Sequence, residues 1–135
     1  MKKKDYSNLA KILAVIALIT IMLGGYILNR RKSHVNEATK LPYYNVTLEQ
    51  VPDGTFSART ETSFLHIELA VTVQDHQIKD IKIIESEGID SQTAKPILEK
   101  IKQENKTAVQ AIKGAELGSL VYISCVDSAL YKAIN

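Results

Sequence analysis

Every second residue is aliphatic along one stretch in the middle of the chain, from Leu65 through Ile67, Leu69 and Val71 to Val73. The residues between these positions are polar or small. A period of two places the aliphatic side chains on one face of an extended backbone and the others on the opposite face. The pattern therefore predicts a β-strand with one buried face.

Two more strands are predicted beside this one. In residues 78–85, Ile81 and Ile83 again alternate with charged residues, after a short polar interval that contains Asp75 and His76. An interval of this length joins antiparallel strands through a tight turn, and Asp tolerates the positive φ that such a turn requires. Before the central strand, residues 55–60 follow an Asp-Gly turn signal and are expected to form a short strand.

A change of period after the hairpin indicates a helix. Apolar residues at positions 94, 97, 98 and 101 have the spacing i, i+3, i+4, i+7, which lines one face of an α-helix. We expect this helix to cover residues 93–104, with Thr93 as its N-cap and Asn105 ending it. Pro96 would then lie in the first turn, where proline is tolerated.

The last apolar run can be interpreted in two ways. Residues 120–126 are rich in β-branched and aromatic side chains, which favours a strand. Residues 117–134, however, continue without a proline or a turn signal for longer than an ordinary strand. We favour a helix here.

An apolar stretch near the N-terminus predicts a membrane-spanning helix. Residues 9–28 contain one charged side chain, Lys11, and residues 12–28 contain none. At 1.5 Å per residue the uncharged part spans about 26 Å, near the lower limit for a transmembrane helix. The alternatives are a cleaved signal peptide, which needs small residues where Tyr26 and Leu28 stand, and a lipoprotein signal, which needs a cysteine there. We therefore expect an uncleaved anchor.

The charge differs between the two parts of the chain. Residues 1–35 hold seven basic side chains and one acidic one, so the net charge of +2 divides into +6 there and −4 in the remainder. An acidic folded part is the opposite of a phosphate-binding footprint, so no nucleic acid is expected as a partner. Basic residues flank the apolar stretch on both sides, but Lys11 and residues 2–4 favour a cytoplasmic N-terminus. The domain that follows would then lie outside the cytoplasm.

These patterns divide the chain into four segments. We expect a basic cytoplasmic N-terminus at 1–8, a transmembrane anchor at 9–28, a juxtamembrane linker at 29–52 and a folded domain at 53–135. The predicted fold class is α+β, with an antiparallel, hairpin-based sheet packed against two helices after one N-terminal transmembrane helix.

Few residues suggest catalysis or metal binding. The chain has a single cysteine, Cys125, expected to be a buried and inert thiol, so neither an intrachain disulfide nor a Cys/His zinc site is predicted. His66 is assigned to the exposed face of a strand and His76 to a turn. No catalytic residue is predicted.

Several features, taken in order along the chain, resemble the FMN-binding domain family. These are Asp53-Gly54-Thr55-Phe56, the strand ending at Val73, the run Ile78–Ile83, the helix after it, and Ala111-Ile112-Lys113-Gly114-Ala115. Members of that family typically have D-G-T-Y at the first strand and D-A-V-S-G-A-T-x-S-S before the last helix. The family includes peripheral subunits of ion-pumping electron-transport complexes and small membrane-anchored proteins of Gram-positive bacteria. The resemblance covers residues 46–130 and implies that the last apolar run is a helix.

The resemblance also implies a flavin site at the start of that helix. Backbone N–H groups at a helix N-terminus suit a phosphate, so Lys113, Gly114, Ala115 and Ser119 are the residues expected to hold FMN. The threonine that can become esterified to FMN in the family is replaced by Glu116. The family's Asp, Ser and first paired Ser are likewise replaced, by Gln110, Lys113 and Gly118. Any FMN is therefore expected to be noncovalent.

Two functions follow from the resemblance. The first is a flavin-binding or electron-transfer module at the cell membrane, with membrane redox proteins as partners and with chemistry supplied by the flavin rather than by active-site residues. The second is a cofactor-free, degenerate version of the fold that acts as a membrane-tethered interaction domain.

Overall fold

The computed structural model describes residues 2–89 and 91–135. Within them the chain forms α1 (Lys2–Thr39), a 3₁₀ helix (Leu48–Gln50), β1 (Gly54–Glu61), β2 (His66–Gln74), β3 (Gln77–Glu87), α2 (Ser91–Glu104) and α3 (Glu116–Ile134). Two compact units are present, one ending at His34 and the other comprising Val35–Asn135. The second unit has the predicted α+β fold, and the order of its elements is the predicted order.

The first unit contains most of helix α1, including the predicted apolar span, while the last turn of α1 belongs to the second unit. Its most apolar window is entirely exposed, with Ile21 71% and Met22 74% accessible. The helix is long and apolar enough to cross a membrane, and an N-terminal signal sequence has the same properties.

The sheet is antiparallel, with the strand order β1-β2-β3. Phe56 lies opposite Val71 across the first strand pair, and Val71 lies opposite Ile81 across the second. As the alternating pattern predicts, Ile67, Leu69 and Val71 are fully buried on one face of the sheet. Irregularities in the β2–β3 register fall between Glu68 and Leu69 and between Thr72 and Val73.

The predicted hairpin turn between β2 and β3 is confirmed. Asp75 and His76 both have positive φ, 53° and 59°, as a two-residue type I′ turn requires. Three contacts hold this conformation: the Asp75 N–H donates to Asp53 Oδ1 at 2.9 Å, His76 Nδ1 lies 3.2 Å from the Leu48 carbonyl, and Asn105 Nδ2 donates to the His76 carbonyl at 3.0 Å. The side-chain bonds compensate for a histidine in a conformation that it seldom adopts.

Helix α3 forms the centre of the core, so the helical interpretation of the last apolar run is correct. It packs on β1 and β2, and α2 packs on both α3 and β3. Tyr122, Val126 and Leu130 are fully buried in α3. Burial of so many side chains outweighs the strand propensity of this segment, because β propensity mainly reflects packing on a half-buried surface.

Helix α2 begins two residues earlier than its pattern predicts. Because it starts at Ser91, Thr93 lies inside the helix rather than at its N-cap, and Pro96 is in the second turn rather than the first. The predicted end is correct. Asn105 follows the helix with φ of 51°, and its Oδ1 accepts a hydrogen bond from the Ile78 N–H at 2.9 Å, which fixes the end of α2 to the start of β3.

The second unit includes residues that the sequence assigns to the linker. It begins at Val35, and Ala38, Val46, Leu48 and Val51 are buried in its core. We call residues 40–47 the strap, because they connect α1 to the 3₁₀ helix and are bonded to α3. Periodicity could not predict that this segment is buried, because its apolar side chains enter the core at irregular positions rather than along one face.

Hydrogen bonds fix the strap to α3 along its length. The Tyr43 hydroxyl lies 3.2 Å from the Leu120 carbonyl and 2.9 Å from that of Ala38. The Ser124 hydroxyl donates to the Pro42 carbonyl at 2.8 Å. Partial burial raises the pKa of the Tyr43 phenol, so this group stays a hydrogen-bond donor at neutral pH.

The strongest of these attachments is the carboxylate of Asp127, which is 2% exposed. Its Oδ2 accepts hydrogen bonds from the N–H groups of Tyr44 and Asn45, the latter at 3.1 Å. Its Oδ1 accepts from the Val46 N–H and from the Thr107 hydroxyl, both at 3.0 Å. Asn45 has φ of 51°, which lets three successive N–H groups point towards one carboxylate.

We expect Asp127→Ala to destabilise the second unit by about 3–5 kcal/mol, because it leaves buried donors without an acceptor. Asp80→Asn is the matched control, since Asp80 is an exposed carboxylate on β3, and its effect should be within about 0.5 kcal/mol. Denaturant unfolding of the full chain, followed by tyrosine near-UV circular dichroism, measures both. Equal effects of the two substitutions would contradict the role assigned to Asp127.

Candidate functional site

The residues that the resemblance assigns to a flavin lie around the start of α3. Lys113, Gly114 and Ala115 form the turn before the helix, and Ser119 lies in its first turn. The Ala115 N–H donates to the Ile112 carbonyl at 3.0 Å, which closes the turn. Gly114 has φ of 86°, a value that suits glycine at this position of a type II turn. The space around its Cα is open, because an added Cβ would meet no atom within 4 Å.

Glu116 occupies the position where the resemblance places a hydroxyl. Its Oε1 accepts a hydrogen bond from the Gly114 N–H at 3.0 Å, so the carboxylate folds back over the turn. The pKa of Glu116 is lowered, first by this bond, then by the bond to its own N–H, and also by the positive charge of Lys113. A side chain of the protein thus already accepts the hydrogen bond that the Gly114 N–H could otherwise donate to an anionic ligand.

Ser119 has a structural role at the same place. It is fully buried, and its hydroxyl accepts a hydrogen bond from the Ile112 N–H at 3.0 Å, while its own N–H donates to the Ala115 carbonyl at 3.0 Å. These bonds fix the turn to the helix. The hydroxyl faces the turn's backbone rather than the surface on which Lys113 and Gly114 are exposed.

The cationic groups near this turn are Lys113 and Lys100. Lys113 is exposed, and Lys100 donates to the Gln110 carbonyl at 3.0 Å. Gln110, at the position of the family's Asp, is therefore bound to α2 through its backbone. An FMN phosphate does not fit this arrangement of residues, because Glu116 places a carboxylate on the N–H of Gly114 and would repel a second anion there.

In the part of the chain that the structure describes, neither Cys125 nor any acidic or histidine cluster forms a second candidate site. Cys125 is fully buried, as predicted, and burial raises the pKa of its thiol, so the thiolate needed for reactivity is disfavoured. Among the described residues no group of three or more His, Cys, Asp or Glu side chains is arranged to hold a metal ion.

The expectation that His66 lies on an exposed strand face is wrong. It is 8% exposed, with Nε2 3.2 Å from Glu85 Oε2 and Nδ1 3.7 Å from Glu61 Oε1. Strands β1 and β3 lie on either side of β2, so both glutamates reach over the ring and cover it. Alternation along a strand identifies the face of a residue but not how far its neighbours shield it.

Two important residues were not identified from the sequence. Asp127 is the only charged residue between Glu116 and Lys132 in an otherwise apolar helix, and an isolated charge in such a run is a sign of a buried contact. Glu37 accepts hydrogen bonds from the Ser63 N–H at 2.8 Å and hydroxyl at 2.6 Å, and no local pattern marks it.

Comparisons with known proteins add no assignment, because no protein-family model and no curated protein matches the chain. The resemblance to the FMN-binding domain family therefore stays a prediction from the motifs.

We expect Glu116→Gln to lower the melting temperature at neutral pH. The pKa of Glu116 is lower in the folded state than in the unfolded state, so its contribution is present above the unfolded pKa and is lost as the pH falls through the folded pKa. The difference between wild type and Glu116→Gln should therefore begin to decrease as the pH falls below about 4.5, the ordinary pKa of a glutamate, and disappear once the pH is below the folded-state pKa. Thermal melts of the full chain across this range measure it.

Glu99→Gln is the control for this pH series. Glu99 is an exposed glutamate that pairs with Lys102 one turn away, at 2.7 Å. Such an exposed pair contributes little to the stability of the fold, and it involves no backbone N–H. A larger effect from Glu99→Gln than from Glu116→Gln would show that the bond to Gly114 does not stabilise the turn.

Proposed function

We propose that the chain is a membrane-anchored domain with an FMN-binding-like fold that works without a flavin, as an interaction module on the outer side of the membrane. The single observation that carries this proposal is the bond between Glu116 and the Gly114 N–H. At the position where a related protein would bind phosphate, the Gly114 N–H already has an acceptor within the chain.

Three further observations support the cofactor-free interpretation. The hydroxyl of Ser119 is engaged by the Ile112 N–H, and no hydroxyl exists at position 116 for a flavin ester. The turn before α3 is closed by hydrogen bonds within the chain, so it keeps its shape without a ligand. The flavin-binding and electron-transfer alternative requires Glu116 to move away.

The outward orientation rests on charge and hydropathy. Lys11 and residues 2–4 favour a cytoplasmic N-terminus, and the second unit is acidic, so nothing in its charge opposes translocation across the membrane. As an uncleaved anchor, α1 would keep the domain at the membrane, where a partner is another membrane protein or an extracytoplasmic one.

Titration with FMN tests the cofactor-free proposal. We expect no quenching of flavin fluorescence by the wild-type chain. Glu116→Thr, alone or with Lys113→Ser and Gln110→Asp, removes the competing carboxylate and should raise the affinity, at most about tenfold per relieved contact and more at low salt.

Glu99→Thr is the control for the titration, because it removes an exposed glutamate of α2 and leaves the turn unchanged. Wild-type protein that is purified with FMN, or that saturates with it in a titration, would contradict the proposal. Binding by Glu116→Thr but not by wild type or Glu99→Thr would identify Glu116 as the group that excludes the flavin.

Cysteine labelling tests the orientation. Gln103→Cys introduces a thiol on the exposed surface of α2, while the natural Cys125 is buried and has a raised pKa, so it should stay silent. A reagent that cannot cross membranes should label Gln103→Cys in intact cells and leave the wild type unlabelled. Labelling of the variant only after lysis would place the domain in the cytoplasm.

A further inference from the structure

The sheet of the second unit has two free edges, formed by β1 and β3, and they differ in how they are protected. An unpaired strand edge can form hydrogen bonds with a strand of another molecule. Natural proteins usually prevent such pairing with bulges, charges or covering side chains. Strand β3 has all three devices. Asn105 caps the Ile78 N–H, the register has two irregularities, and exposed charges recur along the strand, among them Lys79, Asp80 and Lys82.

Strand β1 has only one of these devices, the exposed charges of Arg59 and Glu61. Its eight residues pair with β2 in one continuous register, with neither a bulge nor a proline. The Thr62 N–H donates to the Leu65 carbonyl at 2.9 Å, so these two residues are a hydrogen-bonded pair at the end of the β1–β2 ladder. In an antiparallel ladder the bonded pairs alternate, so residues 54, 56, 58 and 60 bond to β2.

The main-chain groups of Thr55, Ser57, Arg59 and Glu61 therefore point away from the sheet. Among the described residues, no backbone group forms a hydrogen bond to these outward main-chain groups. The side chains of all four residues are exposed on the polar face of the sheet. At the next outward position, Glu37 covers the Ser63 N–H. The open edge thus consists of these four residues and is centred on Ala58.

We propose that this edge pairs with β1 of a second copy of the chain, antiparallel and about a two-fold axis at Ala58, to give a continuous six-stranded sheet. This register uses the whole open edge and forms eight backbone hydrogen bonds, because each outward residue meets an outward residue of the copy. Thr55 lies opposite Glu61, and Ser57 lies opposite Arg59.

The side chains are complementary in this register. The Ser57 hydroxyl faces a guanidinium. The Thr55 hydroxyl, which lies 3.0 Å from the Thr72 hydroxyl, faces the Glu61 carboxylate that also covers His66. Each charge thus meets a neutral hydrogen-bonding group. A shift to a centre at Arg59 would set two arginines opposite each other, and a shift to Thr60 would bring Ser57 against the covered Ser63. This inference does not depend on whether the domain binds a flavin.

Two substitutions of Ser57 with opposite charge test the surface and its register. Ser57 is exposed on the polar face, so neither substitution disturbs the core. Ser57→Glu faces Arg59 of the copy twice per dimer and should tighten dimerisation about fivefold, whereas Ser57→Lys should weaken it by a similar factor. Sedimentation equilibrium of the full chain in detergent micelles measures the dissociation constant, and thermal melts check that both variants fold.

A third variant, Ser57→Pro, removes an outward N–H that the monomer does not use, so it should abolish dimerisation while β1 remains paired with β2. A chain that is monomeric at every concentration would overturn the proposal. Association that none of the three substitutions changes would overturn it as well, because it would then run through another surface. Weakening by Ser57→Glu with tightening by Ser57→Lys would rule out the Ala58 register.

Discussion

One buried carboxylate organises the second unit. Asp127 accepts hydrogen bonds from three successive N–H groups of the strap and from Thr107 in the loop between α2 and α3. A buried charge is tolerated only when its lone pairs are satisfied, so the strap and the loop must adopt one course for the helix to pack at all. The position of α3 on the sheet and the path of the chain into the unit are therefore fixed together, by the same carboxylate.

Side-chain amides and carboxylates play the same part at other junctions. Asn105 joins the end of α2 to the β2–β3 hairpin through two bonds, and Glu37 joins the end of α1 to the β1–β2 loop. Glu116 makes a bond of the same kind within the turn before α3, to the Gly114 N–H. In each case a polar side chain completes backbone groups that regular secondary structure leaves open, which is what lets a small domain without disulfides close its loops.

The elements of the fold could be predicted from periodicity, whereas the contacts between them could not. Alternation gave β2 and β3, and the length of the last run gave α3 against its local propensity. The strap was missed because Asp127 and Val46 lie 81 positions apart and because the donors are backbone groups, which carry no sequence signature. At the candidate site, the motif located the turn, but only geometry showed that Glu116 bonds to Gly114.

The strap also determines how the domain responds to tension on the chain that enters it. Its contacts with α3 are spread along the helix and do not follow the order of the strap: Pro42 with Ser124, Tyr43 with Leu120, and Val46 with Asp127. A pull at Val35 would reach the strap before β1, because the strap precedes β1 in the chain, and the load would be shared among attachments spread over about two turns of α3. The strap would therefore bear mechanical force before any strand of the sheet did.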